Sequence, residues 1–245
     1  MSFPTVESVT TTNFDTAVSS APINLPSTIN SGDLLLLFYT FEQNDSVVDI
    51  TGPSGWHEFH YGKSGAQRTG IYGKKAVGTE GGGTATLTLT DSSAGTGQVY
   101  RITGWDNSGN VEDGVEISQT HNGDTSTYNC PSLTVSWGSA DTLWLIYVGC
   151  TDDNGGITTL PTTPSPGFSD LVSPSAGGAP ANNRNRTNTA RMELAAATVD
   201  PNSGSLSTGD LTRAATIGIK PVAGGTYEQV SFRFRNDDGD LGAPS

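Results

Sequence analysis

Leu34-Leu35-Leu36-Leu37-Phe38-Tyr39-Thr40-Phe41 is the stretch whose reading decides the fold. Seven of its eight residues are apolar, and Thr40 is the one interruption. A membrane helix needs about 20 apolar residues, so this run is far too short to span a bilayer. A strand with one wet face would alternate apolar and polar residues. An unbroken run is what a central strand shows when both of its faces are covered. The pattern returns at Leu143-Trp144-Leu145-Ile146-Tyr147-Val148. Around these runs the period becomes two. Thr84-Ala85-Thr86-Leu87-Thr88-Leu89-Thr90, Gln98-Val99-Tyr100-Arg101-Ile102-Thr103 and Thr216-Ile217-Gly218-Ile219-Lys220 all alternate. Threonine suits the wet face of such strands, because its branched Cβ favours the strand while its hydroxyl meets water. Only Arg191–Ala197 has helix-forming composition. It is short and set among strand signals, and it reads as a strand.

Working outward, the segments recur in order. Gly32-Asp33-Leu34 opens a first series, followed by Ser54-Gly55-Trp56, Ala76-Val77-Gly78-Thr79-Glu80 and a last strand ending Tyr100-Arg101-Ile102-Thr103-Gly104. Ala140-Asp141-Thr142-Leu143 opens a second, followed by Pro166-Gly167-Phe168, Ala196-Ala197-Thr198-Val199-Asp200 and Ala215-Thr216-Ile217-Gly218-Ile219. This weak internal repeat covers about residues 23–105 and 128–221. Each half holds one sheet's worth of strands, and a lone sheet cannot bury its apolar face. The expectation is an all-β, two-sheet antiparallel β-sandwich, jelly-roll-like, over residues 1–222. Leu35, Leu37, Trp56, Tyr100, Leu145, Phe168 and Ile217 are expected between the sheets or at their centre. Residues 223–245 read as a hinge, Ala223-Gly224-Gly225, and an extended C-terminal β arm.

The balance of charge narrows the partners. Twenty-five acidic residues against twelve basic ones give a net charge of −13, which repels a phosphate backbone and argues against nucleic-acid binding. The 31 glycines and 13 prolines suit many short strands joined by tight turns. Met1-Ser2-Phe3-Pro4-Thr5 has neither a basic nor an apolar leader segment, so the expectation is a protein without membrane insertion that folds in a cytoplasm.

The chemistry-bearing residues are sparse. There is no G-x-S-x-G elbow, and Gly81-Gly82-Gly83 lacks the Lys-Ser/Thr of a phosphate loop and reads as a hairpin loop. His57 and His60 differ by three, which puts them on opposite faces of a strand and argues against a shared metal; no Cys or His cluster has zinc spacing. Carboxylates that could pair for glycoside cleavage are Glu42 with Asp45, and Glu112 with Asp113 and Glu116. The acidic loops Asp152-Asp153-Asn154 and Asn236-Asp237-Asp238-Gly239-Asp240 could offer calcium oxygen ligands, but neither has EF-hand spacing, and solvated turns account for them. No cofactor and no catalytic residue is expected. Strands at Tyr128–Trp137 and Asp141–Thr151, joined at Gly138-Ser139-Ala140-Asp141, would set Cys130 nearly opposite Cys150. A disulfide is then geometrically open, while two small buried hydrophobes in a reducing compartment is the favoured reading. Trp105, beside Asp106-Asn107-Ser108-Gly109-Asn110, could stack on a sugar with Asn107 and Asn110 as polar contacts; packing at the core or rim is the favoured reading.

A resemblance runs through these motifs. Ile29-Asn30-Ser31-Gly32-Asp33-Leu34-Leu35, Pro53-Ser54-Gly55-Trp56, Lys74-Lys75-Ala76 with Glu80, Tyr100–Gly104, Trp137-Gly138-Ser139-Ala140-Asp141-Thr142-Leu143-Trp144 and Phe232-Arg233-Phe234-Arg235-Asn236-Asp237-Asp238-Gly239 resemble a family of β-sandwich virion proteins of tailed bacteriophages. The resemblance implies a virion component, built in a host cytoplasm and exposed on the particle. It carries no catalytic residues. In the arm, which begins at Tyr227, Val230, Phe232 and Phe234 make an apolar stripe against Arg233 and Arg235, suited to docking on a neighbouring subunit.

The first expectation of function is therefore a non-enzymatic virion structural protein, a capsid decoration or a tail or fibre appendage. Its partners would be further copies of itself, as in a trimer, and other virion proteins such as the major capsid or tail proteins. The alternative is a glycan-binding receptor module of a tail fibre that recognises a host-surface glycan. A polysaccharide depolymerase is the distant third.

Overall fold

A computed structural model describes residues 2–42, 49–65, 67–151, 156–177 and 184–223. The first half of the chain forms β1 (Thr5–Asn24), β2 (Leu34–Glu42), β3 (Ile50–Thr51), β4 (His57–Ser64), β5 (Gln67–Lys75) and β6 (Thr84–Thr103). They make one antiparallel sheet in the order β1-β6-β2-β5-β4, with β3 also on β6. After a short helical turn, α1 (Val111–Gly114), the second half forms β7 (Val115–Tyr128), β8 (Leu133–Thr134), β9 (Ala140–Thr151), β10 (Ile157–Thr159), β11 (Ser169–Val172), β12 (Ser175–Gly177), β13 (Arg184–Ala196), β14 (Thr198–Val199) and β15 (Gly204–Ile219). Its main sheet reads β7-β15-β9-β13-β11, with β10 also on β15 and β12 on β13.

Strand for strand, the second order repeats the first: β7 stands for β1, β15 for β6, β9 for β2, β13 for β5, β11 for β4 and β10 for β3. The correspondence reaches back to Thr5 and Val115, beyond where similarity of residues is visible. Each sheet is built from one half of the chain. A jelly roll, by contrast, passes its chain back and forth between two sheets. What is observed is an all-β sandwich of two antiparallel sheets.

The two apolar runs occupy the central strands β2 and β9, which are buried along nearly their whole length. Because successive side chains point to opposite faces, each run feeds two layers. Leu34, Leu36 and Phe38 meet Leu143, Leu145, Tyr147, Ile217 and Ile219 in a central core between the sheets. Phe38 stacks on Tyr147 at 5.7 Å and meets Tyr100 edge-on at the same separation. The opposite face, Leu35, Leu37, Tyr39 and Phe41, packs under Ala21, Ile23, Ala85, Leu87 and Leu89 in an outer core. These lids are the far ends of β1 and β6, long strands whose pairing shifts register around Phe14–Ser20, and such irregularities bend a ribbon. The second half does likewise: Trp144, Ile146, Val148 and Cys150 pack with Tyr128, Phe168 and Leu206. Three cores therefore stand where one was expected. Tyr100, Leu145 and Ile217 lie in the central one; Leu35, Leu37 and Phe168 lie in the outer ones, and Trp56 is only half-buried.

Arg191–Ala196 is strand, as its setting among strand signals implied. Other local readings are corrected by long-range pairing. Both alternating segments at Thr84–Thr90 and Gln98–Thr103 belong to the single strand β6. Gly81-Gly82-Gly83 is a crossover turn, since β5 and β6 are separated by β2. No hairpin joins Tyr128 to Thr151, because β7 ends at Tyr128 and β9 is flanked by β13 and β15. Cys130 and Cys150 are buried thiols of the same outer core and form no disulfide; burial pushes the Cys130 thiol well up.

Beyond Phe38 the seam between the sheets turns polar. Thr40 Oγ1 and Tyr147 OH lie 2.9 Å apart, Thr96 and Thr187 hydroxyls 2.7 Å, and Gln98 Nε2 donates to Thr189 Oγ1 at 2.8 Å. Gln67 Nε2 donates to the carbonyls of Gly149 and Leu211 at 3.0 and 2.7 Å. These bonds fix the register of one sheet on the other, because a buried polar group left unpaired is costly.

Candidate functional site

Trp105 sits at the end of the central core, 2% exposed, and its Nε1–H donates to the carbonyl of Gly32 at 2.8 Å. Both its face and its donor are committed: it packs at the core, the favoured of its two readings, and the sugar platform sketched for it with Asn107 and Asn110 is set aside. Asn107 and Asn110 are exposed nearby. Asn107 Nδ2 also reaches the Gly32 carbonyl, at 3.3 Å, and Lys75 Nζ donates to the Asn107 carbonyl. Asn110 precedes α1, where its N–H donates to the Asp113 carboxylate at 2.8 Å. These contacts tie the loop to the rim of the first sheet. Tyr227, Val230, Phe232, Arg233, Phe234 and Arg235, like Asp45 and both acidic loops, lie outside the described residues.

Of the carboxylates singled out as candidates, Glu112, Asp113 and Glu116 each have a partner of their own. Glu112 approaches His57 Nδ1 at 3.6 Å, Asp113 holds the start of α1, and Glu116 accepts from the backbone N–H and hydroxyl of Ser136. Among the described residues, no three Asp, Glu, His or Cys side chains gather as a metal site would require, and no helix is long and apolar enough to cross a membrane.

The histidines differ from expectation. Glu58 pairs with Tyr72 and His60 with Ile71, so Phe59 is an extra residue in β4. The bulge restores parity, placing His57, opposite Gly73, on the same side as His60. His60 is 8% exposed, at the seam between the sheets. Over Gly62, where a side chain would collide with them, His60 Nε2, Thr69 Oγ1 and Arg213 Cδ converge. Arg213 comes from the second sheet, and its Nη2 donates to the Lys63 carbonyl at 2.9 Å. Burial, with the guanidinium beside it, holds His60 down at about 4.

A second concavity lies elsewhere. A groove of about 610 Å³ opens on the outer side of the first half. One wall is Thr51-Gly52-Pro53-Ser54, the other is the start of β6 with Thr84, Thr86 and Thr88, and Trp56, Lys74 and Glu80 complete it. The walls follow from the strands. β3 pairs with β6 only at Ile50–Leu89 and Thr51–Thr88, after which the chain diverges toward β4. Gly52 lets it pass over the Tyr72 ring, where any Cβ would collide. Ala85, Leu87 and Leu89 turn into the outer core, so the threonines between them stay exposed.

Glu80 is the anchor of the turn after β5. Its carboxylate accepts the N–H groups of Val77, Gly78 and Thr79 at 3.0, 2.9 and 3.0 Å and pairs with Lys74 Nζ at 3.0 Å. Burial alone would raise its pKa, but the Val77 N–H, the lysine and the other amides outweigh it and pull the group down to about 2.

The second half shows what this groove is not. Trp56 precedes His57, which pairs with Gly73; Phe168 precedes Ser169, which pairs with Arg191. The residues next along are Lys74 and Met192. Phe168 shares an apolar core with Met192 and Ala190 and is 6% exposed. Trp56 packs against the outer core of the first half but shares the groove with the Lys74–Glu80 ion pair, and it is only half-buried. Sequence reading treated both aromatics alike, as core plugs. The available signal was the charged Lys74 at the position where the other half has methionine. No protein-family model, curated protein or solved structure matches this chain.

Proposed function

We propose that the chain is a non-enzymatic recognition module of a particle surface that holds a glycan in the groove beside Trp56. The observation that carries this reading is the divergence of the two halves: at one duplicated position the aromatic is sealed into a core, and at the other it lines an open groove with exposed hydroxyls. An indole face receives the apolar C–H face of a sugar, and hydroxyls on both sides serve its polar rim. The resemblance of the turn motifs to tailed-phage virion proteins supports a setting on a virion. Titrating the full chain against an array of host-surface glycans tests the proposal. Trp56→Ala is expected to weaken binding at least about tenfold, equivalent to about 1.4 kcal/mol, measured well below its unfolding midpoint, which falls because Trp56 also packs against the outer core of the first half. Binding untouched by Trp56→Ala, or no binding on the array, overturns it.

A second reading, assembly through residues 223–245, is favoured by a different observation. Val222, 45% exposed, stands beside Gly104, whose carbonyl accepts its N–H at 2.9 Å. The sequence after it carries the apolar stripe of Val230, Phe232 and Phe234, suited to docking on another subunit. The partner would be another copy of the chain or another virion protein. Deleting 223–245 is expected to leave a folded monomer, with an unchanged thermal midpoint, that no longer self-associates in sedimentation or joins the particle. A deletion variant that assembles normally, or one that unfolds, contradicts this.

A further inference from the structure

We infer that the ligand of the Trp56 groove is an uncharged oligosaccharide of at least two rings, laid along the start of β6; the inference rests on the glycan reading above. Two independent features of the groove lead there.

The first is charge. Among the described residues lining the groove, Lys74 and Glu80 are the charged ones. They neutralise each other at 3.0 Å, and the Glu80 oxygens are further occupied by three backbone N–H groups. The pair thus holds the turn and offers no free charge to a carboxylate or sulfate on a sugar. The −13 net charge of the chain adds long-range repulsion of any polyanion.

The second is the spacing of donors. Thr84, Thr86 and Thr88 project from alternate positions of one strand, all exposed. Alternate residues of a strand are about 6.5–7 Å apart, so the row runs for about 13 Å. That is longer than one sugar ring. Thr51 and Ser54 supply hydroxyls on the opposite wall. Each hydroxyl both donates and accepts, which matches the hydroxyls of a neutral sugar.

The test uses the full chain and intrinsic tryptophan fluorescence. The probes are neutral oligosaccharides of one to six rings, including N-acetylated ones, and uronate and sulfated oligosaccharides of the same lengths. Affinity for neutral probes is expected to rise from one ring to about three and then level off, and to be the same in low and high sodium chloride. Thr86→Val, which keeps the shape and removes the hydroxyl, is expected to weaken binding about five- to tenfold, while Thr86→Ser restores it. Preference for acidic probes at a Trp56-dependent site, loss of binding in salt, or a monosaccharide bound as tightly as a trisaccharide overturns the inference and leaves the groove reading standing. Binding of no sugar of either kind overturns the groove reading itself.

Discussion

Leu145→Ala is expected to lose about 3–5 kcal/mol of folding stability, measured as a lower urea midpoint. Leu145 is fully buried in β9, lies opposite Ile217 in register, and shares the central core with Leu34, Leu36 and Phe38 of the other sheet. Truncation removes methyl and methylene contacts that both sheets help to supply. The backbone cannot collapse into the space, because β9 is held on both sides by β13 and β15. Leu37→Ala, in the outer core of the first half, tests a different layer with the same burial. If the halves unfold together, both variants shift one cooperative transition. Leu171, 39% exposed, is the control, and its alanine variant should stay within about 0.5 kcal/mol of the parent. A loss of less than about 0.5 kcal/mol for Leu145→Ala is incompatible with a central core at this position.

Mild acid is expected to weaken the junction between the sheets through His60. The unfolded chain takes up the imidazole proton near its ordinary 6.5, and the folded chain only at about 4, because His60 is buried and faces Arg213. Unfolding therefore binds a proton throughout that window, and stability falls as pH falls. From pH 7 to pH 5 the loss is about 2 kcal/mol, approaching about 3 kcal/mol as the folded-state pKa is reached. His121 acts in the same direction. It pairs with Arg213 in register, its Nε2 lies 3.1 Å from Ser64 Oγ, and burial and the same guanidinium lower its pKa. Glu80 titrates lower: its contribution is intact above the ordinary carboxylate range and is lost only as pH approaches about 2. The His60 effect can therefore be isolated between pH 7 and 5 by comparing urea unfolding of the parent with His60→Gln. The variant should be flatter with pH. Parallel curves for the two proteins would remove His60 from the account.

The candidate site was only partly legible. The threonines of Thr84–Thr90 announced an outward polar face, and Gly55-Trp56 announced an aromatic at a strand start. How far each tryptophan would be covered was not legible. Trp105 borders a polar loop in sequence yet ends the central core, while Trp56 follows the same Gly-aromatic pattern as the buried Phe168 yet lines a groove. Exposure of each ring depends on what a distant segment lays over it: the Gly32 turn over Trp105, the Lys74–Glu80 pair beside Trp56.

What the sequence determined by itself was what a strand's own period encodes. Unbroken apolar runs at Leu34–Phe41 and Leu143–Val148 meant strands covered on both faces, and the recurring order of motifs meant two like sheets. Which of two adjacent side chains enters which core, and who its neighbours are, was decided by the tertiary structure. Leu34 and Leu35 part company into separate cores, a single bulged residue at Phe59 returns His57 and His60 to one face, and Arg213 arrives beside them from the other sheet. The side-chain period of a strand is two, so one residue of register or one bulge exchanges its faces, and register is set by pairing with strands far along the chain.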